Sequence, residues 1–183
     1  MDKRAAAIYA LVATIIGLSA LGSYWYPGTS GYVRELIKAY GYIGLGIAVF
    51  LTNLTLFVGI PTPAYVALAV GVGMNPWLVT LVAAIASALG ESSGYVVGLG
   101  GYITLAKKYG DWVQRWKELF EKYGFITVVI IAALPFPPDD VAGLLAGSFK
   151  YPYWKFLIAT AIGKAIKYGV TAGLVSEGIK LLS

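Results

Sequence analysis

Between residues 39 and 106 the chain carries a single charged side chain, Glu91. Residues 123–138 carry none, and nine uncharged residues follow Asp139 and Asp140. A chain of 183 residues has too little interior to hide such runs from water, so lipid must cover part of them. The composition agrees: 58% of residues are hydrophobic and 13% are charged, where soluble domains carry about 25% charge. A soluble globular enzyme, a disordered tail and a nucleic-acid-binding module are all excluded. The net charge of +5 then reads as basic loops facing anionic lipid and the cytoplasm. With no Cys there is no disulfide or thiolate chemistry, and with no His the commonest metal ligand is missing. No metal and no cofactor is expected. Proton chemistry would have to run through Asp, Glu, Lys or Tyr.

The apolar stretches differ in kind. Residues 5–22 form a run of 18 behind Lys3 and Arg4, near the lower limit of about 17–25 for a spanning helix. The run also resembles a signal peptide, but it exceeds the roughly 7–15 residues of such a core. It is expected to be a retained N-terminal helix, with Lys3 and Arg4 cytoplasmic. Residues 77–98 and 153–175 read as spanning helices, the second in spite of Lys164 and Lys167. Residues 41–60 and 64–73 flank a proline-rich break at Pro61, Thr62 and Pro63. Residues 125–134 and 141–149 flank another at Pro135, Pro137 and Pro138. Irregular backbone survives at membrane depth only when it is buried in protein or lines a wet cavity, so each break predicts the tip of a re-entrant hairpin.

The halves repeat. Pro61, Gly71 and Pro76 recur as Pro137, Gly147 and Pro152, each displaced by 76 residues. Tyr40-Gly41 echoes Tyr123-Gly124, and each follows a charged amphipathic stretch. Small residues recur every four positions at Ala86, Gly90, Gly94 and Gly98, and again at Ala161, Ala165, Gly169 and Gly173, which suits close helix packing. A hairpin returns to the side it entered, so each unit crosses once and the second is inverted relative to the first. The basic segment 107–122 then falls inside.

These motifs resemble those of the DedA family, also called the VTT-domain or SNARE-associated Golgi protein family, over about residues 31–175. The first tip, followed by Gly71, Gly90-Glu91, Tyr95 and Gly98, is similar to one family pattern. Tyr123-Gly124, Pro135, Pro138, Asp140 and Ala146-Gly147 are similar to the other. The chain departs from the pattern at Tyr65, where many members carry Glu. It departs again near Ala132 and Asp139, where many carry Arg. That suggests a divergent prokaryotic member, an archaeal one included. The resemblance implies movement of lipid across a bilayer: an undecaprenyl-type phosphate in bacterial members, phospholipid scrambling in eukaryotic ones.

The candidate residues follow. Glu91 sits in mid-helix, where an ionised acid costs a few kcal/mol or more unless it is paired or wetted, so it is a candidate for proton or ion coupling. Under the 76-residue offset it corresponds to Lys167, and a pair meeting across the pseudo-two-fold is one further candidate, which their separation decides. Asp139 and Asp140 suit a helix start, where acids complement the dipole, and are also candidates for coupling. Lys164 and Lys167 share a helix face and are candidates for binding a lipid phosphate. Gly71, Gly147, Gly90 and Gly94 are expected to pack the hairpins.

The expected fold is an all-α polytopic membrane protein forming one domain over residues 1–183. A spanning helix at 5–22 precedes two inverted-topology repeats. Each repeat is an amphipathic helix, a re-entrant helical hairpin and a spanning helix. Repeat 1 covers residues 31–105 with its tip near 59–64, and repeat 2 covers 106–175 with its tip near 134–140. The expected function is transport of an anionic lipid, a polyprenyl phosphate first, in a multi-pass cell-membrane protein that is not an enzyme. An uncoupled phospholipid scramblase is the alternative, with a solute or ion transporter or a membrane scaffold behind it. Its partners would be membrane lipids and no nucleic acid, and a homo-oligomer is compatible with this reading.

Overall fold

The computed structural model describes residues 27–54, 62–108, 110–134 and 140–182. The N-terminal run at 5–22, most of both tips, and the tip residues Pro61, Pro135, Pro137, Pro138 and Asp139 lie outside the described residues.

The described chain is helical: α1 Pro27–Leu54, α2 Thr62–Gly71, α3 Pro76–Gly90, α4 Ser92–Lys108, α5 Gly110–Ala133, α6 Asp140–Ser148 and α7 Tyr153–Leu182. Among the described residues, two stretches are by length and composition long and apolar enough to cross a membrane, Arg34–Leu54 and Pro76–Gly100. The second contains the run expected from residues 77–98. α7 is longer still, at 30 residues, but carries Lys155, Lys164 and Lys167.

The chain breaks where the sequence changes character. Within α1, Gly41 has φ 56° and ψ −128°, a left-handed conformation that glycine adopts without steric cost. The two parts of α1 therefore fold back on each other, and the Gly44 backbone abuts the Leu36 carbonyl. Gly124, the expected counterpart, does not break its helix: α5 runs straight through it. There the missing side chain serves a close approach instead, because a Cβ would lie 2.9 Å from the ring of Tyr151.

α3 packs on α1 and α7, and α5 packs on α7. α2 lies against α7, and α6 lies against α4. Each half is thus completed by the long helix of the other. One core cluster combines Leu45, Val49, Val66 and Val79 with Tyr168 and Ala172 of α7. The second combines Phe120, Val128, Phe149 and Phe156 with Tyr95 of α4.

The turns after α2 and α6 match bond for bond. Gly73 N–H donates to the Val70 carbonyl and Met74 N–H to Ala69 (2.9 and 3.1 Å). Lys150 N–H donates to Gly147 and Tyr151 N–H to Ala146 (3.0 and 2.8 Å). Gly73 and Lys150 both have positive φ, 92° and 55°. These pairs differ by 77 residues, not the 76 of the sequence motifs. The exposed stripe Trp77, Leu81, Ile85 and Leu89 on α3 repeats as Trp154, Ile158, Ile162 and Ile166 on α7 at the same displacement. An apolar stripe of this regularity facing outward is suited to lipid.

Candidate functional site

The centre of the molecule is polar although its rim is apolar. On the inner face of α3 lie Thr80, Ser87 and then Glu91. On the inner face of α7 lie Thr160, Lys164, Lys167, Tyr168 and Thr171, and all of these are buried. Glu91 and Lys164 form an ion pair, with side chains 1% and 0% exposed. One turn away, Ser87 Oγ and Tyr168 Oη share a hydrogen bond of 2.7 Å. The Lys164 ammonium also lies 5.8 Å from the centre of the Tyr168 ring.

Position rises from 87 to 91 on one helix as it falls from 168 to 164 on the other, so α3 and α7 run antiparallel. The two contacts are also each other's image. Displacement by 77 takes Ser87 to Lys164 and Glu91 to Tyr168. The pair 91–164 therefore maps onto the pair 168–87.

The ion partner that the structure gives Glu91 is thus Lys164, the other lysine singled out on that helix face. In the 77-residue register of the turns, position 91 matches Tyr168, whereas the 76-residue register of the proline and glycine motifs matches it with Lys167. Lys167 is buried on the same helix, and its carbonyl accepts a bond from Thr171 Oγ1 at 3.0 Å.

Glu91 sits where α3 passes into α4. Its N–H reaches the Ser87 carbonyl at 2.9 Å, but the next helical bond, from Tyr95 N–H to the Glu91 carbonyl, is long at 3.3 Å. The backbone of α6 presses on this joint: a Cβ on Gly143 would lie 3.1 Å from the Glu91 carbonyl oxygen and 3.2 Å from the Gly94 carbonyl carbon. Asp140 begins α6 one turn before Gly143. On the other side, a Cβ on Gly90 would meet Asn53 at 2.7 Å. Asn53 Nδ2 donates to the Val49 carbonyl (2.7 Å) and to Thr62 Oγ1 (3.2 Å), which ties the start of α2 beside the site. Pro63 follows, half-buried. Gly90 and Gly147 are in close contact and the Gly94 backbone lies against Gly143, whereas Gly71 meets nothing within 4 Å among the described residues. Of the paired hairpin glycines, only Gly147 is a packing position.

Sequence reasoning missed Asn53, Ser87, Thr160 and Tyr168. Ser87 and Tyr168 could have been found: each stands one turn from a singled-out charge, on the same face. The Thr160 hydroxyl is fully buried and has no hydrogen-bond partner among the described residues. The second small-residue ladder also behaves differently from expectation. Gly173 meets nothing, and Gly169 only a Thr80 methyl at 3.8 Å. They line a cavity of about 490 Å³ with Pro76, Trp77, Thr80 and Glu177. Thr80 and Gly169 belong to the same two helices as the Ser87–Tyr168 bond, α3 and α7.

The VTT-domain family model matches residues 60–177, more than half of the chain, and takes in both halves of this crossing. The chain belongs to the VTT-domain family. It is similar to MJ0201, an uncharacterised protein of Methanocaldococcus jannaschii, at 27% identity over 149 residues, covering 76% of this chain and 86% of that one. It is also similar to vacuole membrane protein KMS2 of Arabidopsis thaliana (40% over 63 residues) and to human vacuole membrane protein 1 (44% over 65 residues). Those two matches cover 34% and 33% of this chain, but the chain spans only 15% and 16% of the relatives' own lengths. No solved structure matches it. With its family and its two apolar helices, this VTT-domain chain is a membrane protein.

A first test concerns the neutral member of the crossing. Tyr168→Phe keeps the ring beside Lys164 but removes the bond to Ser87. The expected loss is about 1–2 kcal/mol, a drop of a few degrees in unfolding midpoint. Adding Ser87→Ala should cost little more, and a fully additive double variant would argue against the bond.

Proposed function

We propose that this protein moves an anionic lipid across the cell membrane, with a polyprenyl phosphate as its first candidate substrate, and acts as a transporter rather than an enzyme. The observation that carries this reading is the buried Glu91–Lys164 pair at the antiparallel crossing of α3 and α7. Ion pairs are rare at bilayer depth, face a protein interior or wet cavity, and mark substrate and proton paths.

The membrane placement follows from helix lengths. Glu91 stands 14 residues beyond Trp77, about 21 Å at about 1.5 Å per residue. Lys164 stands 10 residues beyond Trp154, about 15 Å. Because the helices are antiparallel, the two exposed Trp residues are about 36 Å apart, which suits Trp at both interfaces of a hydrocarbon core of about 30 Å. The halves are then inverted-topology repeats. α1–α2 and α5–α6 are re-entrant hairpins, and the N-terminus is cytoplasmic. The cavity at Trp77 and Gly173 opens to the outside.

In this reading the lipid tails stay in the bilayer while the phosphate passes between the tips. Lys164 and Lys167 attract the phosphate. Glu91, with Asp139 and Asp140 at the second tip, carries the coupling proton or ion.

The test uses purified protein in liposomes, following loss of inner-leaflet protection for a polyprenyl phosphate and separately for a labelled phospholipid, with and without a pH gradient. Movement of the polyprenyl phosphate that responds to pH supports the reading. Equal, pH-blind movement of both lipids makes the protein a scramblase, and movement of neither overturns lipid transport.

A further inference from the structure

The geometry points to a competition for Lys164: we infer that a phosphate group and the Glu91 carboxylate are alternative partners of the same ammonium, so that each phosphate bound there places a proton on Glu91. The inference rests on the lipid-transport reading and adds the coupling rule to it.

Glu91 and Lys164 are almost wholly excluded from solvent and in contact, so the pair is neutral as a unit. An anion that reaches the Lys164 ammonium displaces the carboxylate that now holds it. The displaced carboxylate is left in a low-dielectric interior without its cation, at a cost of several kcal/mol if it stays ionised. Taking up one proton removes that cost. The balance is simple. A carboxylate–ammonium pair plus one phosphate negative charge plus one proton gives a neutral carboxylic acid and an ammonium–phosphate pair. For a singly ionised phosphate the unit of Glu91, Lys164 and phosphate has zero net charge before and after, which is the condition for carrying it through a membrane interior, and a doubly ionised phosphate needs one further proton of its own.

The surroundings allow the exchange. From α7, Glu91 is faced by Lys164, and Lys167 and Tyr168 stand buried on the same helix. Tyr168 Oη is held by Ser87, so its ring stays beside the ammonium when the carboxylate leaves. From α1 the neighbour at Gly90 is the uncharged Asn53. From α6 the backbone of Gly143 lies against the Glu91 carbonyl, and Asp140 is the acid one turn before it. On its own element Glu91 is flanked by Ser87 and Tyr95. The fully buried Thr160 hydroxyl, without a hydrogen-bond partner among the described residues, stands one turn from Lys164 and offers a phosphate oxygen a donor.

Calorimetry of the purified full chain tests this in two buffers of different ionisation enthalpy, with farnesyl phosphate in one arm and inorganic phosphate in the other. Wild-type protein should take up about one more proton per phosphate bound than Glu91→Gln does, a difference that cancels the ligand's own ionisation. Its affinity should fall about tenfold more per pH unit than that of the variant. Removing the competitor should also make Glu91→Gln bind at least about tenfold tighter at alkaline pH, and phosphate should rescue its thermal stability more than that of wild type. Should Glu91→Gln not survive purification alone, it is purified with farnesyl phosphate present, and the wild-type uptake in excess of the ligand's own ionisation, titrated separately in the same buffers, decides. Asp140→Asn locates the proton: uptake kept there and lost in Glu91→Gln supports the inference, and the reverse overturns it.

A response to both ligands makes the phosphate group itself the determinant. A response to farnesyl phosphate alone requires the lipid tail. Binding to wild type without Glu91-dependent uptake overturns the competition but leaves transport standing, provided that the liposomes still move the lipid. No binding of either ligand overturns both.

Discussion

Lys164→Met should cost the protein about 3–5 kcal/mol and most of its folded yield, because it leaves the Glu91 carboxylate buried without its cation. The loss comes from the orphaned partner more than from the missing bond. Two charges taken out of water together are expensive, and an ion pair in an interior often does no better than apolar groups of the same size. The double variant Glu91→Leu/Lys164→Met should therefore recover most of the stability that Lys164→Met loses. It should also be inactive in the liposome assay, since both the cation for the phosphate and the proton acceptor are gone. Thermal unfolding in detergent, followed by size-exclusion chromatography, reads the stability of both variants against wild type. Single and double variants that unfold together near the wild-type temperature would mean that the pair is wetted and of little energetic consequence.

The second large effect is expected where α6 crosses α4. The Gly147 backbone abuts the Tyr95 carbonyl, and Gly98 abuts the Leu144 carbonyl, so the two helices touch backbone to backbone. A Cβ at either glycine would collide with main chain, which cannot rotate away as a side chain can. Gly147→Ala and Gly98→Ala should each cost about 3 kcal/mol or more and separate the second hairpin limb from the site. Gly173→Ala is the control. Its Cβ would meet open space, so the better helix former should be neutral or stabilising by up to about 1 kcal/mol. Equal tolerance at all three positions would contradict the close crossing.

Several features could be read from residues alone, for physical reasons. The run at 77–98 announces a long apolar helix because lipid imposes length and polarity together. The break at Gly41 follows from a glycine between an amphipathic and an apolar stretch. Gly124 has the same sequence setting but a different role, since only the packed structure brings Tyr151 against it. The sequence motifs and the hydrogen-bonded turns differ in register. The proline and glycine motifs align at 76, whereas the hydrogen-bonded turns align at 77, because Lys150 takes the positive-φ position that Gly73 holds in the first half. One residue of register turns the counterpart of Glu91 from Lys167 to Tyr168.

The pairing was hidden for a further reason. Under the proposed two-fold arrangement only residues on the axis would meet their own counterparts, and Glu91 instead meets Lys164, which stands 77 residues beyond Ser87. No spacing along the chain reports that offset, because it depends on where the two helices cross. The small-residue ladders illustrate the same limit. Gly90 and Gly98 are spent on contact, while Gly169 and Gly173 leave a cavity, and only the neighbours distinguish them.

The inverted crossing of α3 and α7 is the claim on which the rest depends, and the chain is well suited to testing it because it has no cysteine. Trp77→Cys and Trp154→Cys each introduce a unique thiol at the start of one long helix. The measurement is labelling of each by a membrane-impermeant maleimide in right-side-out and in inverted vesicles. The account predicts that Trp77→Cys labels from the outside and Trp154→Cys only from the cytoplasmic side. Labelling of both from the same face would contradict it.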